Sequence, residues 1–184
     1  MDARHLFAAP LGGALLSLCA VTAHAAGMEV SSESFADSAP IPKMYSHNAT
    51  AADGSQCGGS GVSPQITWSK LPANTKSVAI LMYDPEGGNG LGVSHWVTYN
   101  IPAERGQLKQ GDHGVTLGKN VSGAEAYRGP CPPVGQTPHH YTITVIATDI
   151  PPNTLPAGMT REELMAALKG HALEAQSVVG RFGR

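Results

Sequence analysis

Two stretches of this 184-residue chain gather the side chains best suited to binding ions or moving protons. The first runs D-P-E-G-G-N-G-L-G-V-S-H-W-V-T-Y-N-I-P, Asp84 to Pro102, and the second Y-R-G-P-C-P-P-V-G-Q-T-P-H-H-Y, Tyr127 to Tyr141. Each sets an acid or a histidine at a strand end, beside a Gly- or Pro-rich loop. Brought together, Asp84, Glu86, His95, His139 and Tyr141 make one small polar pocket. An acid against an imidazole fixes its tautomer and raises its pKa, so that the ring becomes a positive donor for an anion. Cys131 with His139 or His140 offers another chemistry, the thiolate–imidazole pair of a cysteine hydrolase. Set between prolines, however, Cys131 lacks the helix N-terminus that often lowers a thiol pKa. Zinc on Asp84, His95 and His139 has no H-E-x-x-H or C-x-x-C spacing behind it, and no cofactor is implied.

The elements that must position these groups are mostly strands. Gly and Pro punctuate a weakly charged sequence at short intervals, which favours a β-rich domain with many loops. Val78 to Tyr83 is an unbroken apolar run that reads as a strand buried on both faces. Pro85 then turns the chain away from the sheet. His95 to Ile101 alternates, with His95, Val97, Tyr99 and Ile101 on one face and Trp96, Thr98 and Asn100 on the other. If this strand neighbours the first, Asp84 and His95 meet at one sheet edge. Tyr141 to Asp149 is a third strand, stopped by Pro151-Pro152, and His139 and Tyr141 point the same way with His140 opposite. Weaker strands are expected over Met28–Phe35 and Gln65–Trp68, and Trp68 and Trp96 read as core or pocket-floor aromatics. Thr160 and Glu163 make a capping box for one helix, with Leu164, Ala167 and Leu168 apolar, interrupted at Gly170. A second helical turn is expected over His171–Val178, with His171 packed or capping.

The N-terminus reads as an address. Arg4 and His5 precede an apolar run, Leu6 to Val21, too short for a membrane span, and Ala23-His24-Ala25 is a cleavage site for a secretory signal peptide. Residues 1–25 are the expected leader and 26–184 a single domain, with no further membrane segment. Leu18 before Cys19 is not the small residue a lipoprotein signal places there. A net charge of −2 without a basic run argues against nucleic acid. Two cysteines remain after processing, Cys57 and Cys131; an even pair in an exported protein reads as a disulfide, the alternatives being two isolated thiols or a reactive Cys131. Cys57 lies in a polar, Gly-rich loop, residues 46–63, long enough to need such a tether.

D-P-E followed by H-W-V-T-Y-N-I-P, then G-P-C-P-P-V-G and P-H-H-Y, resembles the phosphatidylethanolamine-binding protein family. The nearest branch is its bacterial Raf kinase inhibitor-like, or YbhB/YbcL-type, group. C-G-G-S-G-V-S-P-Q-I-T-W, Cys57 to Trp68, and the terminal V-V-G-R-F-G-R are similar to the same branch. The resemblance implies an all-β fold: a central antiparallel sheet packed with a smaller sheet, short C-terminal helices and one anion pocket at the sheet edge. It assigns Asp84, His95, His139 and Tyr141 to the pocket, Glu86 to a position where the family usually has Asp, and Pro130 and Pro133 to the wall. It also implies phosphate-like ligands, phosphoethanolamine head groups among them, and acetate-like anions. The chain departs from the pattern at Gly87-Gly88, which lose a stiffening proline. It departs again at Val93-Ser94, which replace an aromatic pair, at Arg128, which replaces glycine on the rim, and at His140, which replaces arginine.

These residues lead to an exported, non-enzymatic protein that binds a small anion, more strongly below about pH 6.5 where free histidine protonates. A second expectation is a surface that inhibits or binds an extracytoplasmic protein, a protease or a host or envelope protein. The third is the Cys/His hydrolase.

Overall fold

The computed structural model describes residues 1, 27–51, 54–112, 114 and 116–184. The expected leader, apart from Met1, lies outside the described residues. Among the described residues, eight strands form two antiparallel sheets. The small sheet, in the order β1-β2-β5, joins β1 (Glu29–Ser31), β2 (Ile66–Ser69) and β5 (Gln107–Leu108). The large one runs β6-β4-β3-β7-β8, from β3 (Ser77–Asp84), β4 (Val93–Pro102), β6 (Thr116–Leu117), β7 (His139–Thr148) and β8 (Ala172–Phe182). This is the expected all-β architecture of a larger sheet packed with a smaller one. No helix among the described residues is long and apolar enough to cross a membrane.

β3 is central and buried from Ser77 to Met82, as its apolar run requires. Val78, Ile80 and Met82 pack between the sheets against Ile66, Trp68 and Leu108, while Ala79 and Leu81 face the other side. Each fully buried side chain of this size stabilises the fold by about 1.5–3 kcal/mol. The outer face of the large sheet is covered by α1 (Arg161–Leu168), whose Leu164 and Leu168 meet Val97 and Tyr99. The capping box is present: the Thr160 hydroxyl accepts from the Glu163 N–H, and the Glu163 carboxylate accepts from the Thr160 N–H at 2.8 Å.

Residues 171–178 are not helical. From Ala172 onward they belong to β8, which pairs with β7 along nearly its whole length, from Ala172↔Thr148 to Phe182↔His139. Ala, Leu, Glu and Gln favour a helix by less than 1 kcal/mol per residue, and a ten-residue ladder outweighs that. The alternation expected of β4 also fails twice. Tyr99 and Asn100 together oppose Ala79, with Asn100 at φ 57°, a left-handed conformation asparagine tolerates. Ile101 thereby joins Trp96 on the face between the sheets. Near the other end of β4, Met82 pairs with Trp96 but Tyr83 pairs with Ser94, leaving His95 as the extra residue of a bulge.

Candidate functional site

The bulge decides where the first histidine goes. In a regular strand His95 would share the α1 face with Val97 and Tyr99. Instead it lines a cavity of about 290 Å³ beside Asp84, His139 and Tyr141, and is buried. β3 and β4 are neighbours, as expected, and Asp84 closes β3 with only 3% exposure. Its Oδ1 accepts from the backbone N–H of Glu86 and of Gly87, each at 2.9 Å. Its Oδ2 accepts from His139 Nδ1 at 2.8 Å and lies 4.0 Å from His95 Nε2. The far side of the His139 ring, Nε2, meets the Gln136 side-chain amide at 3.1 Å.

His95 is tied from behind. Its Nδ1 donates to the Arg128 carbonyl at 2.7 Å, and the Arg128 N–H donates to the His95 carbonyl at 2.9 Å. A carbonyl only accepts, so the proton of the neutral ring sits on Nδ1 and Nε2 presents a lone pair to the cavity. The expectation of a raised histidine pKa is corrected here. Burial lowers His95 to about 4, outweighing the Arg128 carbonyl and the Asp84 charge, both of which raise it. The Tyr141 ring meets His95 edge-on, centroids 5.2 Å apart. Its hydroxyl is buried with no hydrogen-bond partner among the described residues. Burial, and then the neighbouring Asp84 charge, push that phenol far above its ordinary pKa, so it remains a donor.

A pH dependence of stability follows. Below pH 6.5 an unfolded histidine takes up a proton that folded His95 refuses until about pH 4. The stability present above that window is therefore lost as pH falls through it, by about 3 kcal/mol for this residue. Urea midpoints at pH 7 and pH 4 measure the loss, and His95→Gln is expected to flatten that part of the slope. An unchanged slope in the variant would assign the acid lability to another group.

Glu86 lines the cavity as expected, and Pro130 does not. Glu86 pairs with His140, not with the pocket histidines: Oε1 meets His140 Nδ1 at 2.9 Å and Oε2 accepts the His140 N–H at 3.1 Å, both side chains half exposed. Slight burial raises the Glu86 carboxyl, but the hydrogen bonds from His140 outweigh it and hold the carboxyl below the usual range. Pro130 lies buried behind the wall, its carbonyl accepting the His47 N–H at 3.1 Å, while Pro132 and Pro133 line the cavity. Gly129 lets this segment approach, since a Cβ there would stand 2.4 Å from the Tyr45 carbonyl oxygen. Arg128 is on the rim as expected, and its guanidinium appears in none of the ion pairs among the described residues.

Cys57 and Cys131 form a disulfide, which pins the 46–63 loop to the pocket wall and leaves Cys131 no thiol for a hydrolase. Gln136 and Arg184 escaped the sequence reading. Arg184 Nε donates to the Pro132 carbonyl at 2.6 Å, and the Gly135 N–H to the Arg184 carbonyl at 3.0 Å, so the chain end braces the wall. No local spacing connects residues 132 and 184, and only the β7–β8 ladder reveals them as neighbours.

Two antiparallel sheets with one polar, histidine-lined pocket at the edge of the larger define a class of small binding folds. The chain belongs to the phosphatidylethanolamine-binding protein family, whose model matches residues 31–183. It is 32% identical to a UPF0098 protein of Aquifex aeolicus over 95% of this chain and 99% of that one. It is 34% identical to the putative lipoprotein LppC of Mycobacterium tuberculosis over 84% of this chain and 72% of that one. Among solved structures it is similar to E. coli YbcL, described as a member of the mammalian PEBP family (TM-score 0.77, 26% identity, 86% and 99% covered). It is also similar to CT736 of Chlamydia trachomatis, a putative homologue of the family (TM-score 0.74, 28% identity, 86% and 98% covered).

Proposed function

We propose that residues 26–184 act outside the cytoplasm as a single-domain, non-enzymatic binding protein whose pocket takes a phosphate or a phosphoethanolamine-type head group. The observation that carries this reading is the pocket's polar floor: Asp84, His95, His139 and Tyr141 converge from three strands on one cavity of about 290 Å³. That volume suits a head group rather than a whole amphiphile. The Tyr141 hydroxyl supplies an unused donor at the floor, and Arg128 supplies charge at the mouth. Export is supported by the signal-like N-terminus, by a disulfide of the kind that persists in oxidising compartments, and by the lipoprotein name of one relative.

Calorimetric titration with inorganic phosphate and with phosphoethanolamine at pH 6 tests the reading. One-site binding to the wild type that disappears in His95→Ala is the expected result. No heat from either ligand, in a protein shown to be folded, would overturn it and shift attention to a protein-binding surface.

A further inference from the structure

A tally of the pocket's hydrogen-bonding capacity narrows the ligand. Asp84 Oδ1 is filled by two backbone N–H groups and the His95 Nδ1 proton by the Arg128 carbonyl; His139 is engaged at both ring nitrogens. What remains at the floor is an acceptor pair: Asp84 Oδ2, which accepts from His139 Nδ1 and keeps a further lone pair, and His95 Nε2, 4.0 Å away. That separation is too long for a mutual hydrogen bond, yet one hydroxyl oxygen placed about 2.7 Å from each spans it. Among the described residues, the donor beside the pair without a hydrogen-bond partner is the Tyr141 hydroxyl, which faces Asp84. A fully ionised oxyanion would set acceptor against acceptor here.

We propose that the pocket distinguishes tetrahedral oxyanions by whether they still carry a proton, with a P–OH of the ligand donating its one proton to Asp84 Oδ2 or to His95 Nε2. This rests on the anion-binding reading above and makes Asp84 and His95 its specificity-determining residues. Inorganic phosphate and singly ionised phosphomonoesters satisfy the floor, their other oxygens accepting from Tyr141 and facing Arg128. Sulfate, fully ionised at neutral pH, does not. Burial dominates at His95 and keeps the ring an acceptor, and the charges of Arg128 and His47 act the same way. Against these, the Arg128 carbonyl behind the ring and Asp84 in front of it raise its basicity. Tyr141 meets the ring edge-on, and His139 stands beyond Asp84. Glu86 is engaged by His140 at the rim.

Binding sites that rely on a hydrogen-bonding group of the ligand discriminate far more sharply than those relying on shape. Phosphate is therefore expected to bind at least about tenfold more tightly than sulfate. A second expectation uses only the wild type. A phosphomonoester loses its last P–OH above its second pKa of about 6, so phosphoethanolamine should weaken about tenfold per pH unit between pH 7 and 9. Inorganic phosphate keeps a hydroxyl across that range and should weaken much less. Asp84→Asn retains Oδ1 for the two backbone N–H groups but presents an amide to the ligand, and should collapse the phosphate-to-sulfate ratio. Titration with phosphate, sulfate and phosphoethanolamine at pH 6, 7, 8 and 9 reads all three. A ratio below about tenfold, a flat phosphoethanolamine series, or an unchanged ratio in Asp84→Asn would each overturn the selectivity while leaving anion binding intact. Absence of binding by every anion would overturn both.

Discussion

Exchange of Asp84 for alanine is expected to lower the melting temperature by about 6–12 °C as well as to abolish the anion binding proposed for the pocket. The carboxylate accepts three hydrogen bonds, from the Glu86 and Gly87 backbones and from His139. Alanine leaves all three donors without a partner in a region that is almost fully buried. Buried donors cost about 1–3 kcal/mol each when orphaned. Water can reach the part-exposed Glu86 end, so a total near 3 kcal/mol is the reasonable sum. For a domain of this size that corresponds to the range given. Thermal unfolding followed by circular dichroism measures it. A loss under about 2 °C would mean that solvent takes over the acceptor's role and that the carboxylate is there for the ligand alone.

Reduction of the disulfide should do as much to the fold by a different route. Cys57 and Cys131 are 74 residues apart, and closing so long a loop removes about 4 kcal/mol of chain entropy from the unfolded state. The doubly substituted Cys57→Ser/Cys131→Ser protein is therefore expected to melt about 8–16 °C lower than the oxidised one. It should also bind phosphate more weakly, because Cys131 sits in the pocket wall between residues 129 and 133. Coincident melting curves for the oxidised and substituted proteins would show that the ladder of strands holds the two segments together unaided.

The parts of this architecture legible in the sequence are those written in local pattern. β3 announces itself by an apolar run, α1 by Thr160 and Glu163, and the turn after Asp84 by its proline. What stayed hidden is written in pairing between distant segments. His171–Val178 has helix-forming composition, and its burial alternates only from Val178 onward, so nothing local opposes a helix. The opposite facing of His139 and His140 was legible, but not that the loop after Asp84 carries Glu86 to the outer of the two. The lowered pKa of His95 was equally out of reach. Proximity to an acid is visible in a motif, but the depth at which the pair is buried is a property of the whole sheet.

The bulge in β4 means that the pocket depends on chain length as well as on residue identity. Between Trp96, which faces the core, and Ser94, which faces α1, one surplus residue is what turns His95 toward Asp84. Removing Ser94 would leave every pocket side chain present, yet His95 would inherit Ser94's place opposite Tyr83 and point toward α1. A frame of one odd residue, and not the histidine alone, is what this family member carries from β4 into its site.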